Sequence, residues 1–249
     1  MKTVLITGCS SGYGLATARH FHAQGWQVIA TMRTPRELDI PPSSRFRVVA
    51  LDVTRPESIA RALEDIGPID VLVNNAGIGL FGAFEATPMT TVREVFETNT
   101  FGTMAMCQAV IPRLRAQRSG TIVNVTSSAT LAPFPLVAAY TASKTAIEGF
   151  SASLALELRD FDVRVRLVEP GYGPGTNFSA NSGERMQGLI TEPYAAYAQR
   201  VFAEFMGASL TTTPEDVAQA VWLAANDSTE RLHRAAGPDA VALAEHHGR

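Results

Sequence analysis

Tyr140 and Lys144 stand four residues apart in Tyr140-Thr141-Ala142-Ser143-Lys144, at the head of the longest helix-patterned stretch of the chain. Residues at that spacing share a helix face, so the phenol and the ammonium should lie together. A free tyrosine has a pKa of ~10 and is a poor base at neutral pH. A fixed cation within ~4–6 Å lowers an acid's pKa by ~1–3 units, which brings the phenol toward working range. Such a pair can give a proton to a nascent alkoxide or take one from an alcohol. The spacing alone is common by chance, and its neighbours give it weight. A β-branched run over Thr121–Val125 ends in Thr126-Ser127-Ser128, where a serine hydroxyl can hydrogen-bond a substrate oxygen. Another run ends in Asn74-Asn75-Ala76-Gly77, a turn that can pack backbone against a cofactor. Asn99 interrupts a helical stretch in which asparagine is disfavoured.

A second group of residues points to a dinucleotide. Val4–Thr7 reads as a buried strand and runs into Gly8-Cys9-Ser10-Ser11-Gly12-Tyr13-Gly14 before a helix. Glycines there let the backbone turn tightly and approach a pyrophosphate, while the helix N-terminus offers N–H groups and a positive dipole end. The spacing is Gly-x-x-x-Gly-x-Gly, placed between strand and helix as a nucleotide loop requires. The next strand ends in Ala30-Thr31-Met32-Arg33-Thr34, with no acid to bond a ribose 2′-hydroxyl. Arg33 can instead meet a 2′-phosphate, and Arg36 can help, which predicts NADP(H) over NAD(H). The alternative is that Arg33 is a solvated loop residue.

The elements that must hold these residues alternate. After the helix of Gly12–Gln24 come a strand at Val28–Met32, another at Phe46–Leu51 and a helix over Pro56–Ile66. A strand at Val71–Val73 precedes helices near Thr90–Glu97 and Thr100–Gln117. Beyond the Thr121–Val125 strand lie a helix over Thr141–Asp160, a strand at Val163–Val168 and helices over Glu184–Met206 and Pro214–Asn226. Leu232–Ala236 reads as a short seventh strand and Gly237-Pro238-Asp239 as a turn. Apolar strands alternating with helices predict a single-domain α/β fold, a doubly wound parallel sheet with helices on both faces. Ligands of such sheets bind beyond the carboxyl ends of the strands, where these residues cluster.

Bulk properties exclude other classes. The chain has 249 residues, 46% hydrophobic and 18% charged, with a formal net charge of −3 and no basic block. Nucleic-acid and anionic-membrane partners therefore lack electrostatic support. Cys9 and Cys107 lie far apart, and the five histidines make no metal-ligand set, so neither a disulfide nor a metal site is expected. His246 and His247 fall in a polar tail. No run approaches the ~18–20 apolar residues of a membrane helix, and the N-terminus lacks a signal-peptide pattern. A cytoplasmic location is expected.

With these motifs in place the sequence resembles the classical short-chain dehydrogenase/reductase family over nearly its whole length. The residues that carry the likeness are Thr7-Gly8-x-x-x-Gly12-x-Gly14, Asp52, Asn74-Asn75-Ala76-Gly77, Asn99, Ser127, Tyr140-x-x-x-Lys144 and Pro170-Gly171. The resemblance implies a Rossmann-type fold with Tyr140 as general acid/base. It implies that Lys144 lowers the tyrosine pKa and holds the nicotinamide ribose, that Ser127 polarises the carbonyl, and that Asn99 supports a water-linked proton relay. The family places its serine thirteen residues before the tyrosine, which selects Ser127 over Ser128. The cofactor site so implied comprises Gly8, Ser10, Ser11, Gly12, Tyr13, Gly14, Arg33, Asp52 at the adenine with Val53, Asn75, Ala76, Gly77, Tyr140, Lys144, Pro170, Gly171 and Thr176. Two positions depart from the pattern. Tyr13 replaces the family's isoleucine and should pack under the loop, and Thr176 stands one place late for its contact with the carboxamide. Gly8-Cys9-Ser10-Ser11-Gly12 with Ala30-Thr31-Met32-Arg33 is most similar to the hydroxysteroid- and retinol-dehydrogenase-like branch, where NADP(H) is common. The family also implies a homodimer or homotetramer.

Residues 172–210 are rich in large apolar side chains, among them Phe178, Met186, Leu189, Tyr194, Phe202 and Phe205. They predict a substrate lid, with Leu131–Val137 as the opposing wall and a mainly apolar carbonyl or alcohol as substrate. Glycines at 173, 175 and 183 favour a mobile lid. The reading from these residues is an NADP(H)-linked oxidoreductase of ketones, aldehydes or the corresponding alcohols. The alternative is a non-catalytic NADP(H)-sensing regulator, which would have no need of Ser127, Tyr140, Lys144 and Asn99.

Overall fold

Val4 and Ile6 point into one face of the first strand and Leu5 into the other, and all three are fully buried. That two-sided burial recurs along the sheet and forces a layer of helices on each side. In the computed structural model, which describes residues 1–41, 43–64, 66–176, 183 and 185–248, the strands are β1 (Thr3–Ile6), β2 (Gln27–Met32), β3 (Phe46–Ala50), β4 (Val71–Asn74), β5 (Gly120–Val125), β6 (Val163–Pro170) and β7 (His233–Ala236). They form one parallel sheet in the order β3-β2-β1-β4-β5-β6-β7. Val4 pairs with Val28 on one side and Val71 on the other.

The helices are α1 (Gly12–Ala23), α2 (Pro56–Glu64), α3 (Met89–Phe96), α4 (Gly102–Gln117), α5 (Ala138–Leu158), α6 (Glu192–Met206), α7 (Pro214–Asn226) and α8 (Pro238–His246). α1 and α7 cover one face, where Phe21, Val217 and Val221 pack on Val4, Ile6, Val28 and Val73. α2, α4 and α5 cover the other, where Ile59, Met106, Leu114 and Leu154 meet Leu5, Ile29, Leu72 and Ile122. The chain grows outward from β1 through β2 to β3, then crosses back to β4 on the far side of β1. The carboxyl ends of β1 and β4 thus diverge around a crevice, the ligand site of open α/β sheets.

Three predicted elements change. Gly237-Pro238-Asp239 is not a free turn: Gly237 takes a φ of 94° and Pro238 starts α8, its fixed φ and missing N–H suiting a first helical position. The tail that carries His246 is therefore helical, and the His246 and His247 rings stack edge to face at 5.1 Å. The helix expected over Glu184–Met206 is broken in two: Arg185 and Met186 are helical, Gly188 then adopts a left-handed φ of 74°, and α6 starts at Glu192 with Pro193 in its first turn. Phe178 and Glu184 lie outside the described residues. Finally, α3 and α4 do not separate: a π-helical segment, Glu97–Phe101, joins them. Among the described residues no helix is long and apolar enough to cross a membrane.

Candidate active site

The glycine loop leaves β1 at Thr7, whose hydroxyl accepts hydrogen bonds from the N–H groups of Asn75 and Ala76, each at 3.0 Å. This one side chain ties the ends of β1 and β4 together across the crevice. Asn75 adds Nδ2 bonds to the carbonyls of Thr7 at 2.9 Å and Gly8 at 3.2 Å. A Cβ on Gly14 would collide with the Gly8 carbonyl and the Asn75 amide, and one on Gly8 would meet Ala76 Cα at 2.8 Å. Gly8 and Gly12 also hold φ of 74° and 54°, a conformation glycine adopts without strain. Ser11 precedes α1 with extended backbone, and its side chain caps none of the first N–H groups of the helix.

Thr176, although one place late in the sequence, lies across this loop, 3.6 Å from where a Gly12 side chain would start. It is held by its own N–H and hydroxyl bonds to the Gly173 carbonyl, at 3.2 and 2.9 Å. Tyr13 packs beneath as its size predicts, its hydroxyl filling the space that a Gly173 side chain would need. Burial raises its phenol above the usual range, with Tyr140, Asp239 and Asp216 adding to the effect. Gly171 is likewise obligatory, because the Asp239 carboxylate occupies its side-chain position and accepts from Tyr172 N–H at 2.6 Å.

Beyond the carboxyl end of β2, Arg33 and Arg36 are exposed, and Arg36 donates to the Ser10 carbonyl. Burial acts to raise the Asp52 carboxyl, but two bonds from Thr54, with Arg33 and Arg55 nearby, hold it below its ordinary range. Val53 does not turn toward this site. Its side chain packs against Gly102 in the core under α4, leaving its backbone alone for a ligand.

Ser127 and Tyr140 are joined by a side-chain hydrogen bond. Ser127 leads into a short 3₁₀ turn, Ser128–Thr130, where its hydroxyl also accepts from Ala129 N–H at 3.2 Å. Tyr140 is half-buried against the cluster of Leu80, Val92, Val95, Ala139 and Leu189. Burial holds its phenol above the ordinary value, and the Ser127 bond pulls the other way. Lys144 is buried one turn on, its Nζ donating to the Val125 carbonyl at 3.0 Å, and burial pushes its ammonium down to about 8. The fold thus brings the expected pair together, but burial rather than the neighbouring cation dominates the tyrosine.

Asn99 sits in the π-helical segment, whose widened turn aims the amide across the site. It pairs with both backbone groups of Ile78, at 2.8 and 2.9 Å, and donates to Ser143 Oγ at 3.1 Å. Between them Gly77 leaves room: a Cβ there would stand 3.2 Å from Asn99 Oδ1 and 3.4 Å from Lys144 Nζ. Thr7, Ser143 and Asp239 matter to this geometry and were not among the expected site residues. Thr7 lay in the glycine motif; Asp239, 67 positions from its partner Tyr172, has no local signal.

Residues 2–187 match the short chain dehydrogenase family. The chain belongs to that family, oxidoreductases that act on CH–OH and C=O groups of small molecules with a nicotinamide cofactor. It is 42% identical over 188 residues to a 3-ketodihydrosphingosine reductase of Bacteroides thetaiotaomicron, covering 74% of this chain and 68% of that protein. It is 42% identical over 182 residues to retinol dehydrogenase 8 of Bos taurus, covering 68% of this chain but 58% of the relative. A short-chain dehydrogenase from Streptomyces avermitilis superposes with a TM-score of 0.83 at 35% identity, over 99% of this chain and 91% of the other.

Proposed function

We propose that the protein is an NADP(H)-dependent reductase of mainly apolar ketones or aldehydes, reversible as an alcohol dehydrogenase. The observation that carries this reading is the Ser127–Tyr140 hydrogen bond with Lys144 one turn further along α5, beside the glycine loop. Gly8, Gly12 and Gly14 leave backbone where a pyrophosphate must approach, and Ser10, Ser11 and Tyr13 complete that loop. Asn75, Ala76, Gly77, Pro170, Gly171 and Thr176 would line the nicotinamide half, and Asp52 with the Val53 backbone the adenine.

When bound, the cofactor supplies the hydride that forms the new C–H bond. Ser127 would hold the carbonyl oxygen, and Tyr140 would pass its phenolic proton to that oxygen as negative charge develops there. Burial keeps the phenol protonated, the form that reduction needs. The Lys144 ammonium would stabilise the resulting phenolate until a proton returns. The Asn99 side chain is committed to Ile78 and Ser143, so it would serve the relay by holding that wall.

Two further features support the finer assignments. The exposed Arg33 and Arg36, with no acid at the end of β2, suit a 2′-phosphate. Phe202 of α6 packs on Phe81 at 4.5 Å, and Phe205 lies 5.9 Å from Phe134 and 5.5 Å from Tyr172. These rings make an apolar wall from both sides of the predicted lid, and the two relatives above are named for 3-ketodihydrosphingosine and for retinol. Leu156 and Phe101, 64% and 54% exposed, offer area that a second copy could cover in a homodimer or homotetramer.

Fluorescence titration with NADPH and NADH, followed by a panel of long-chain ketones, retinoids, steroids, aryl ketones and sugars, tests the reading. NADPH should bind at least tenfold tighter, about 1.4 kcal/mol, the scale of one charge-assisted contact. Tyr140→Phe should abolish turnover and leave cofactor binding within twofold. Tighter NADH binding rejects the assignment of Arg33; cofactor binding without turnover of any carbonyl favours the regulator instead.

A further inference from the structure

Gly82 stands in the segment that leaves the Asn74–Gly77 turn and runs toward α3. Its φ lies outside the left-handed range that favours glycine, so backbone conformation does not demand this residue. Space does. A Cβ on Gly82 would stand 2.4 Å from Leu189 Cβ, and the next two nearest atoms, at 3.0 and 3.3 Å, also belong to the Leu189 side chain. Leu189 thus sits directly on a glycine backbone, and it is 4% exposed. Backbone bonds fix the register of this seat. Ala83 N–H donates to the Leu189 carbonyl at 2.9 Å, and Gly82 N–H to the Leu136 carbonyl at 2.7 Å. Arg185, earlier on the same segment as Leu189, is paired with Glu94 of α3 at 2.8 Å. Phe202 of α6 lies on Phe81. Residues 81 to 83 therefore form a strip that receives both α6 and the segment leading into it.

The strip matters to the chemistry because of what Leu189 covers. With Leu80, Val92, Val95 and Ala139 it forms the cluster on which Tyr140 packs. The other four belong to α3, α5 and the approach to the strip; Leu189 arrives with the segment that leads into α6. Burial is the main influence on the Tyr140 phenol and holds it above the ordinary value, with the Ser127 bond opposing. A cover that lifts admits water, and water favours the phenolate. The titratable groups beside the phenol are Lys144, one turn on along α5, and Tyr13 of α1. Neither belongs to the seat, and what α3, Leu80 and Leu189 present to the ring is apolar.

We propose that Gly82 is a positioning residue for the reaction: its missing side chain is the seat of Leu189, and Leu189 so seated completes the apolar cover of Tyr140 and sets α6 against the site. This rests on the reading of Tyr140 as the proton donor to the carbonyl oxygen. The prediction is specific to one contact. A methyl group at position 82 should do harm only while residue 189 carries a side chain.

The test is a double-mutant cycle of Gly82→Ala and Leu189→Gly, with Leu189→Ala beside it. Its readouts are kcat, KM for a long apolar ketone, NADPH affinity, Tm, and the ionisation of Tyr140. The last is followed by the Cζ resonance of carbon-labelled tyrosine, assigned with Tyr140→Phe. Gly82→Ala should raise KM about tenfold and leave kcat and NADPH affinity within about threefold of the parent. In the Leu189→Gly background the same substitution should change KM by about twofold or less and leave Tm where it was. Leu189→Ala keeps Cβ and the bond to Ala83 but loses the cover. It should lower the Tyr140 ionisation midpoint by about half a pH unit or more, a shift that a loss of stability alone would not give. Equal losses from Gly82→Ala in both backgrounds overturn the proposal, as does a Tyr140 midpoint that stays in place in Leu189→Ala. Should Gly82→Ala prevent folding, a folded double variant supports the seat and an unfolded one overturns it. A parent inert toward every carbonyl rejects the functional reading and the positioning role with it, while the cycle in Tm and the Tyr140 midpoint still decide whether Leu189 seats on Gly82 and covers the ring.

Discussion

Lys144 is buried among uncharged groups, and its ammonium is held at a pKa of about 8 against about 10.5 in water. The folded chain therefore binds this proton less tightly than the unfolded chain does. Below pH ~8 both states hold the proton, and the folded state carries the full cost of burying the charge. Between pH ~8 and ~10.5 the unfolded state holds more protons, so stability rises with pH across that window. Lys144→Met removes the buried charge but leaves the Val125 carbonyl without its donor. The net gain near neutral pH is expected to be about 2 kcal/mol of unfolding free energy, fading toward pH ~10.5. Turnover should be lost in the same variant. Denaturant melts at pH 7 and pH 10 check this, and a variant less stable than the parent at pH 7 would sink it. The Tyr-x-x-x-Lys spacing was legible in the sequence. The direction of the tyrosine's shift was not, because it depends on Leu80, Val95 and Leu189 closing over the ring from three other parts of the chain.

The elements around the site differ most from the sequence pattern where they meet the substrate. Asn99 read as a helix interruption and is a widened π turn, which adds one residue to the turn and swings the amide toward Ile78 and Ser143. Leu136 holds a left-handed φ of 62°, a strained state for a branched residue, while its carbonyl accepts from Gly82 N–H at 2.7 Å. Ala83 N–H in turn donates to the Leu189 carbonyl at 2.9 Å, rooting the segment before α6 beside the site. α6 itself is thinly packed, with Ala198 and Val201 its buried residues and Phe205 among its partly covered ones. Phe205→Ala should raise KM for a long apolar ketone roughly tenfold and leave kcat near the parent value, the pattern of lost uniform binding. An unchanged KM across the apolar panel would show that the substrate does not reach α6.

Across the whole molecule, the loop after β6 is held by residues remote in sequence. Asp239, at the start of α8, accepts from Tyr172 N–H at 2.6 Å and from Thr212 Oγ1 at 2.5 Å, and Thr212 N–H donates to the Tyr172 carbonyl at 2.7 Å. Asp239→Ala removes a charged acceptor from two donors, a loss of about 2–3 kcal/mol. For a chain of this size that corresponds to a fall in Tm of roughly 4–12 °C, at about 2–4 °C per kcal/mol. Because the same loop carries Thr176 across the glycines, NADPH affinity should fall as well. A variant that melts with the parent and binds NADPH equally well would show that the clamp does not hold the loop.

Short-range chemistry made the alternating elements, the glycine loop and the Tyr140–Lys144 face readable from residue order, since period, turn geometry and helix spacing act over a few positions. Strand order set the rest. Placing β4 beside β1, β6 beside β5 and β7 at the edge brings Thr7 to Asn75, Asp239 to Tyr172, and His233 to Glu169 and Glu148. Such hydrogen bonds span up to 68 or 69 positions of chain, and no local preference encodes them. The same packing removes water from Tyr140 and Lys144. What those two groups can do with a proton is therefore a property of the closed fold, although their identity and spacing are already present in the linear chain.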